Sequence, residues 1–286
     1  MRCSDSNAGR VLLVVNFTLD ATYRNRHLLA TLYAGRFDGL LFSVSSTCVP
    51  DPAFVNCVQR WVPPFRHPCL CGNPALGQHP SALHVSHPRL AEIVWLAREY
   101  EFLVITEDDC LLAPWLDAAA VRQRCAEVQA AMPEIYYCPR DHATWSWAQH
   151  PAGCAAVDAV ADTLDFTRLR THWLAYSDNA LPPEEPRPVF SAFVDFLVFR
   201  TEFLRQIAGD LVRLREVWHE IAIPTAVLHN TYRIRRTDGI ALWGDERNRP
   251  LEQLLGELQE HEFLHPIKLS RYDPRDLLDA YRRLAR

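Results

Sequence analysis

The 286-residue sequence has no long apolar run. Near the amino terminus the longest purely apolar stretch is Val11 to Val15, flanked by polar residues, whereas a signal-peptide core takes about 7–15 apolar residues and a membrane helix about 20. The expectation is a protein with no integral membrane segment that stays in the cytoplasm. Positive charge is also short. Thirty Lys and Arg face 35 Asp and Glu, the net charge is −5, the pI is near 6.2, and no basic tail or stripe offsets this balance. A general nucleic-acid binder is therefore excluded, and no nucleic-acid partner is expected. A disulfide framework is missing too: nine cysteines is an odd number, and their spacing shows no pairing pattern. In a chain without an export signal they are expected as reduced thiols. No internal repeat is evident. What remains is an ordinary globular composition, 49% hydrophobic and 23% charged, in a chain long enough for one large α/β domain with insertions.

The chain opens in a β, α, β pattern. Arg10 to Phe17 (RVLLVVNF) has the β-branched, fully apolar character of a strand covered on both faces. Asp20 to Tyr33 spaces Tyr23, Leu28, Leu29 and Leu32 as a helix, with Asp20 or Thr22 as cap and Gly35 as stop. Gly39 to Ser45 reads as a second strand. Pro50 to Pro88 is proline-rich and irregular, a long loop or small insertion. Arg89 to Tyr100 is an amphipathic helix that leads into the strand Phe102 to Thr106. Beyond it the alanine-rich Asp117 to Met132 reads as helix and Glu134 to Cys138 as strand, followed by mixed loop and short helix over Arg140 to Pro188. Phe190 to Arg200 reads as one strand, then come helices from Thr201 to about Ile207 and from Leu211 to Val227. Strands Tyr232 to Ile234 and Gly239 to Trp243, a short helix from Leu251, the segment Phe263 to Ser270, and a helix from Pro274 to Leu284 close the chain.

The strongest local signal is FLVITEDDCLLAPW, Phe102 to Trp115, where a buried strand runs straight into Glu107, Asp108 and Asp109. Three adjacent carboxylates repel one another and resist desolvation, so a positive partner is required, either a metal ion or a Lys/Arg pair. A hard divalent cation, Mn²⁺ or Mg²⁺, suits oxygen ligands and commonly keeps only one or two protein carboxylates. The bland reading is that the carboxylates favour a helix start. Position weighs for a site, because ligands of open α/β sheets bind outside the carboxyl ends of the strands.

In these residues the chain resembles the GT-A class of nucleotide-sugar glycosyltransferases, in which a mid-chain strand ends in an Asp-x-Asp type motif. The resemblance implies a single GT-A-like (Rossmann-like) α/β domain, a central mostly parallel sheet flanked by helices. Residues 1–115 would form the nucleotide-sugar half and 116–286 the acceptor half. It implies Asp109 on the metal, with Glu107 standing where the first Asp usually does and Asp108 beside the donor. Asn16 and Phe17 would lie where the class seats base and ribose, with Tyr23 and Arg24 reaching the same crevice. Glu220, in Trp218-His219-Glu220, would match the general base of inverting members, as a carboxylate able to take the acceptor proton. His265 in FLHPIKLS would complete the metal's coordination, and Lys268 would pair with a phosphate. The implied reaction moves a sugar from a nucleoside-diphosphate donor to the hydroxyl of a glycan or other acceptor.

Alternatives stand beside these assignments. Glu220 reads equally as a helix surface residue, with His219 as the active one, and His265 as a plain loop histidine. Asp195 is a charge inside an apolar strand, which calls for an arginine partner or for service as the base in place of Glu220. Arg247 and Arg249 are diphosphate or acceptor contacts, or surface charges. His67, Cys69, Cys71, His79, His84 and His87 fall in one loop, but Cys-x-Cys is tighter than a typical zinc knuckle, so a proline-rich acceptor or lid loop competes with structural zinc. A metal-dependent phosphoesterase or nucleotidyltransferase, and an inactive binding module on the same fold, are the competing functions.

Overall fold

The computed structural model describes residues 9–17, 25–44, 69–71, 97–139, 150–214, 217, 219–242 and 249–284. In chain order it contains β1 (Val11–Phe17), α1 (Arg26–Tyr33), β2 (Gly39–Val44), β3 (Cys69–Cys71), β4 (Phe102–Glu107), β5 (Leu111–Leu112), α2 (Ala118–Arg124), β6 (Ala130–Met132) and β7 (Tyr136–Cys138). There follow α3 (His150–Ala159), α4 (Phe166–Ser177), β8 (Val189–Ser191), β9 (Phe196–Arg200), α5 (Thr201–Arg213), α6 (His219–Asn230), β10 (Ile234–Arg236) and β11 (Gly239–Ala241). The last described elements are α7 (Leu251–Glu257), β12 (Phe263–His265) and α8 (Pro274–Leu284).

Seven strands form one sheet in the order β10-β6-β9-β4-β1-β2-β3. Only β9 runs antiparallel to its neighbours, β4 and β6. Both faces are covered, as a parallel sheet requires. Alternation sorts each central strand between two cores: Val11, Leu13 and Val15 of β1 with Phe102 and Val104 of β4 pack on one side. Leu12 and Val14 with Leu103 and Ile105 pack on the other. The first side is closed by Leu28, Leu29 and Leu32 of α1 and by Leu277 and Tyr281 of α8. The second is closed by Leu204 and Ile207 of α5, the buried face of α6, and Leu169 and Trp173 of α4.

Between β1 and β4 the chain changes direction across the sheet. From β1 it builds outward through β2 and β3, then returns to place β4 on the other flank of β1. At such a switch point the loops leaving the carboxyl ends diverge and leave a crevice. The residues at its two sides are Asn16, paired in register with Glu107.

Several elements differ from the sequence reading. Asp117 to Met132 is not one helix: α2 stops at Arg124, and Ala130 to Met132 form β6, hydrogen-bonded to β9 on one side and β10 on the other. Alanine's helix preference is a weak bias beside two ladders of hydrogen bonds in a buried setting. Phe190 to Arg200 is two strands, because β8 pairs with β7 in a separate ribbon and β9 joins the main sheet, with Asp195 at the bend between them. Helix α5 continues to Arg213, and a separate helix α6 begins at His219. Arg140 to Pro188 contains two helices, α3 and α4. Of Arg89 to Tyr100, the described part, Ala97–Glu99, is a single 3-10 turn. Among the described residues Cys110, Cys125 and Cys138 are free thiols, and these three and Cys154 are buried. No described helix is long and apolar enough to cross a membrane.

Candidate active site at the carboxyl ends of the central strands

The acidic run leaves β4 through a tight turn in which the Cys110 N–H donates to the Glu107 carbonyl at 3.1 Å. The Asp108 N–H continues the β1–β4 ladder by donating to the Asn16 carbonyl at 2.9 Å. Asp108 is buried, while the Asp109 side chain is about 38% exposed. The three carboxylates are thus split by the turn, with Glu107 and Asp109 partly exposed and Asp108 buried between them.

Two further strands bring partners to Asp109. Directly after the turn, β5 pairs antiparallel with β12, Leu111 opposite Leu264. One step along that register lies His265, and the Ile267 N–H reaches back to the Asp109 carbonyl at 2.7 Å. On the other side, antiparallel pairing of β9 with β4 sets Asp195 beside Glu107, whose N–H donates to the Asp195 carbonyl at 3.2 Å. The imidazole of His265 consequently sits between two carboxylates: Nε2 is 3.1 Å from Asp109 Oδ1, and Nδ1 is 2.9 Å from Asp195 Oδ2. Burial by itself would lower the basicity of this ring. The hydrogen bonds that the protonated ring donates to Asp109 and Asp195, with the charges of both carboxylates, outweigh it and lift the His265 pKa to about 10.

A cavity of about 180 Å³ opens beside Asp195 and His265, lined also by Glu134, Tyr136, Arg236 and Gly239 among others. Gly239 is required there, since a Cβ at that position would stand 2.1 Å from the Phe263 ring, which also packs on Phe196 at a centroid distance of 5.1 Å. The base of β12 is held by Glu262, fully buried, which accepts from Arg235 Nη2 at 2.8 Å and from the Asp238 N–H at 2.8 Å. That anchor fixes the strand that presents His265.

The other sequence-selected residues are distributed as follows. Asn16 is fully buried at the end of β1, and among the described residues neither atom of its side-chain amide has a hydrogen-bond partner. An orphaned buried amide costs about 1–3 kcal/mol, and this one lies at the mouth of the switch-point crevice. Phe17 ends β1 by its backbone. Tyr23, Arg24, Trp218 and Arg247 lie outside the described residues, as do His67, His79, His84 and His87. Lys268 is exposed, three residues beyond His265, and Arg249 pairs with Glu257 at 3.3 Å. Glu220 is buried in the first turn of α6, its carbonyl accepting from the Ala192 N–H at 2.9 Å, and it is not among the residues lining the cavity at His265. The structure therefore gathers Asp109, Asp195 and His265, while the backbone of Glu220 meets that of Ala192, three residues before Asp195. Sequence reading missed that Asp195 is the partner of His265. The buried charge in an apolar strand was its visible signal, but the partner comes from a strand about 70 residues away.

Solved glycosyltransferases are similar in shape. The mannosyltransferase Ktr4p of S. cerevisiae aligns over 79% of this chain and 67% of its own, at 9% identity and a TM-score of 0.44. Core-mannan synthase A of Aspergillus fumigatus, in an Mn/GDP form, aligns over 82% and 73%, at 8% identity and 0.43. An active-site mutant of LgtC aligns over 94% of both chains at 7% identity and 0.45. At TM-scores below 0.5 these likenesses carry no conclusion about activity. No protein-family model and no curated protein matches the sequence.

The donor set can be tested against a divalent ion on its own geometry. Among the described residues no group of three or more His, Cys, Asp or Glu side chains is arranged around one point, so any ion would rest on two protein ligands. Two ligands at right angles on an ion with bonds of about 2.1 Å lie about 3 Å apart. Asp109 Oδ1 and His265 Nε2 are 3.1 Å apart. Asp195 on the far nitrogen then takes the place of the carboxylate that orients a ligating histidine. The residues fit a cation that keeps its remaining positions for water or a phosphorylated ligand.

Proposed function

We propose that the protein is a metal-dependent glycosyltransferase that moves a sugar from a nucleoside-diphosphate donor to an acceptor hydroxyl. The observation that carries this reading is the Asp109–His265–Asp195 chain, with contacts of 3.1 and 2.9 Å, at the carboxyl ends of the central strands. In the proposal Asp109 and His265 hold Mn²⁺ or Mg²⁺, and Asp195 fixes the imidazole so that Nε2 points at the ion. When bound, the cation neutralises the charge that develops on the departing diphosphate.

The chain's own residues do the rest. Asn16, with its unmatched amide, and the end of β1 receive the nucleoside, and Glu107 and Asp108 flank the sugar-bearing side of the turn. Exposed Lys268, next to the metal-holding strand, offers a point charge to the diphosphate. In the transfer, the bond from the acceptor oxygen to the anomeric carbon forms as the bond from that carbon to the phosphate oxygen breaks. The diphosphate leaves with the electron pair, and the proton of the acceptor hydroxyl passes to a departing diphosphate oxygen. Asp195 is engaged with His265 and Glu220 is buried in α6, so the proposal assigns the role of general base to neither. The amino-terminal half, residues 1–115, supplies the donor side and residues 116–286 the acceptor side.

The test is calorimetric titration of UDP- and GDP-sugars with and without Mn²⁺, followed by release of free sugar on long incubation. Metal-dependent binding with slow donor hydrolysis is expected, and Asp109→Ala should weaken metal-dependent binding by more than about 100-fold. Unchanged binding and turnover in that variant would overturn the assignment. Binding without turnover would make the chain a nucleotide-sugar binding module.

A further inference from the structure

A second and larger cleft adjoins the cavity at His265. Its volume is about 560 Å³, and the two cavities are neighbours that share Glu134, Tyr136 and Arg236. The topology explains the join. Strands β6 and β10 are parallel neighbours at the end of the sheet, and β7 follows closely on the carboxyl end of β6. The cleft therefore lies between β7, the start of β10 and α4.

Its wall has an unusual composition. Five aromatic side chains contribute, Tyr136, Tyr137, Trp173, Tyr176 and Tyr232. Tyr136 and Tyr232 are 43% and 53% exposed, which identifies them as rings that the fold leaves open to solvent. Behind them Trp173 is buried, with its Nε1 lacking a hydrogen-bond partner among the described residues, and packs against Tyr176 at a centroid distance of 6.0 Å. Exposed Asn179 adds an amide to the rim. The charged side chains on this wall, among the described residues, are Glu134 and Arg236, and they neutralise each other in an ion pair at 2.8 Å.

Those features select a ligand class. A nucleoside diphosphate carries two or three negative charges, and the one cation present is already committed to Glu134. A purely apolar ligand would cover the exposed Tyr232 and Asn179 without offering the hydroxyl or the amide a hydrogen bond. A neutral sugar matches both halves of the surface, since its C–H face lies on an aromatic ring while its hydroxyls reach polar tips at the ring edge. The volume lies within the range of about 300–1,000 Å³ usual for small-ligand sites.

We propose that this cleft is the acceptor site and that its ligand is a neutral saccharide, with one sugar face laid on the open rings of Tyr136 and Tyr232. The acceptor role rests on the glycosyltransferase reading above, whereas affinity for a saccharide does not. The experiment is saturation-transfer NMR on the full chain with maltose, cellobiose, lactose and mannobiose, and with a serine- and threonine-containing peptide as a competing acceptor class. Donor titration with Mn²⁺ is run on the same wild-type sample. At least one disaccharide is expected to receive saturation. Its affinity should fall about tenfold or more in Tyr232→Ser and in Tyr136→Ala, and stay within about threefold in Tyr232→Trp, which keeps a ring. An unchanged melting temperature in each variant keeps the comparison one of binding. No disaccharide signal, binding of the peptide alone, or undiminished affinity in Tyr232→Ser and Tyr136→Ala would overturn the proposal, even if the donor binds. Ring-dependent sugar binding without metal-dependent donor binding would support the saccharide cleft and remove its acceptor role together with the transferase reading.

Discussion

Among the described residues, the Asp–His contacts at His265 and at His229 have similar lengths and opposite surroundings. At the site, His265 lies between Asp109 and Asp195, with Asp109 about 38% exposed and a cavity lined by Asp195 and His265. In the helical layer, His229 Nδ1 meets Asp210 Oδ2 at 2.7 Å, and its Nε2 accepts from the Asp165 N–H at 3.0 Å, which fixes the neutral tautomer. Asp210 also accepts from Asn230 at 2.6 Å and pairs with Arg213 at 2.7 Å. There every donor has an acceptor and the unit ties α5, α6 and the start of α4 together. At His265 two carboxylates face one imidazole, so a negative charge is left over even when the ring is protonated. Residue type and distance do not distinguish a structural pair from a candidate cation site. The second partner of the imidazole does: a backbone N–H closes it, and a half-exposed carboxylate leaves it open.

Asp210→Ala should have the largest effect on this comparison. It removes the acceptor shared by His229, Asn230 and Arg213 in a buried setting, and a loss of about 3 kcal/mol of folding stability is expected in urea unfolding. Metal-dependent donor binding should persist wherever the variant is folded. A folded Asp210→Ala protein that no longer binds donor would erase the distinction between the two pairs. Next in size, Asp195→Asn keeps a hydrogen-bond partner for His265 but removes its charge. Metal affinity should fall about 10- to 100-fold with little change in melting temperature, read by Mn²⁺ titration. A large fall in stability instead would mark Asp195 as a structural residue like Asp210.

The smallest effect is on pH dependence, and the two pairs should act at opposite ends. His265 in the metal-free chain has a pKa raised to about 10. The stability it contributes is complete below the unfolded value of about 6.5 and is lost as pH rises through about 10. For Asp210, burial would raise the pKa, but the hydrogen bonds from His229 and Asn230 outweigh it and hold it below the ordinary range. Its contribution is present above the unfolded value of about 3.9 and is lost as pH falls through the lower folded value. Thermal melts across pH should show the alkaline loss abolished in His265→Gln and the acid loss reduced in Asp210→Asn. Removal of the alkaline loss by the Asp210 variant would contradict the assignment of limbs.

Legibility in the sequence followed the range of the interactions. Strands β1, β2 and β4 were readable because a strand covered on both faces is apolar at every position, and the turn after β4 because three carboxylates follow it. Ala130 to Met132 was unreadable as a strand, since its two ladders come from β9 and β10, far along the chain. Within the site, Asp109, His265 and Asp195 were each visible as odd residues in their own segments. Their mutual contacts were not, and neither was the exposure of Tyr136 in a segment, EIYYC, that reads as an ordinary strand.

By itself the sequence determined the alternation that covers both faces of the sheet, the acidic turn, and the charge balance, because these depend on residue type and short-range order. Tertiary structure alone decided which carboxylate meets His265 on each nitrogen and which histidine is closed. It also decided which tyrosines stay open along a cleft. Each of those depends on the register of strands distant in sequence, and register is set by how all the buried faces pack at once.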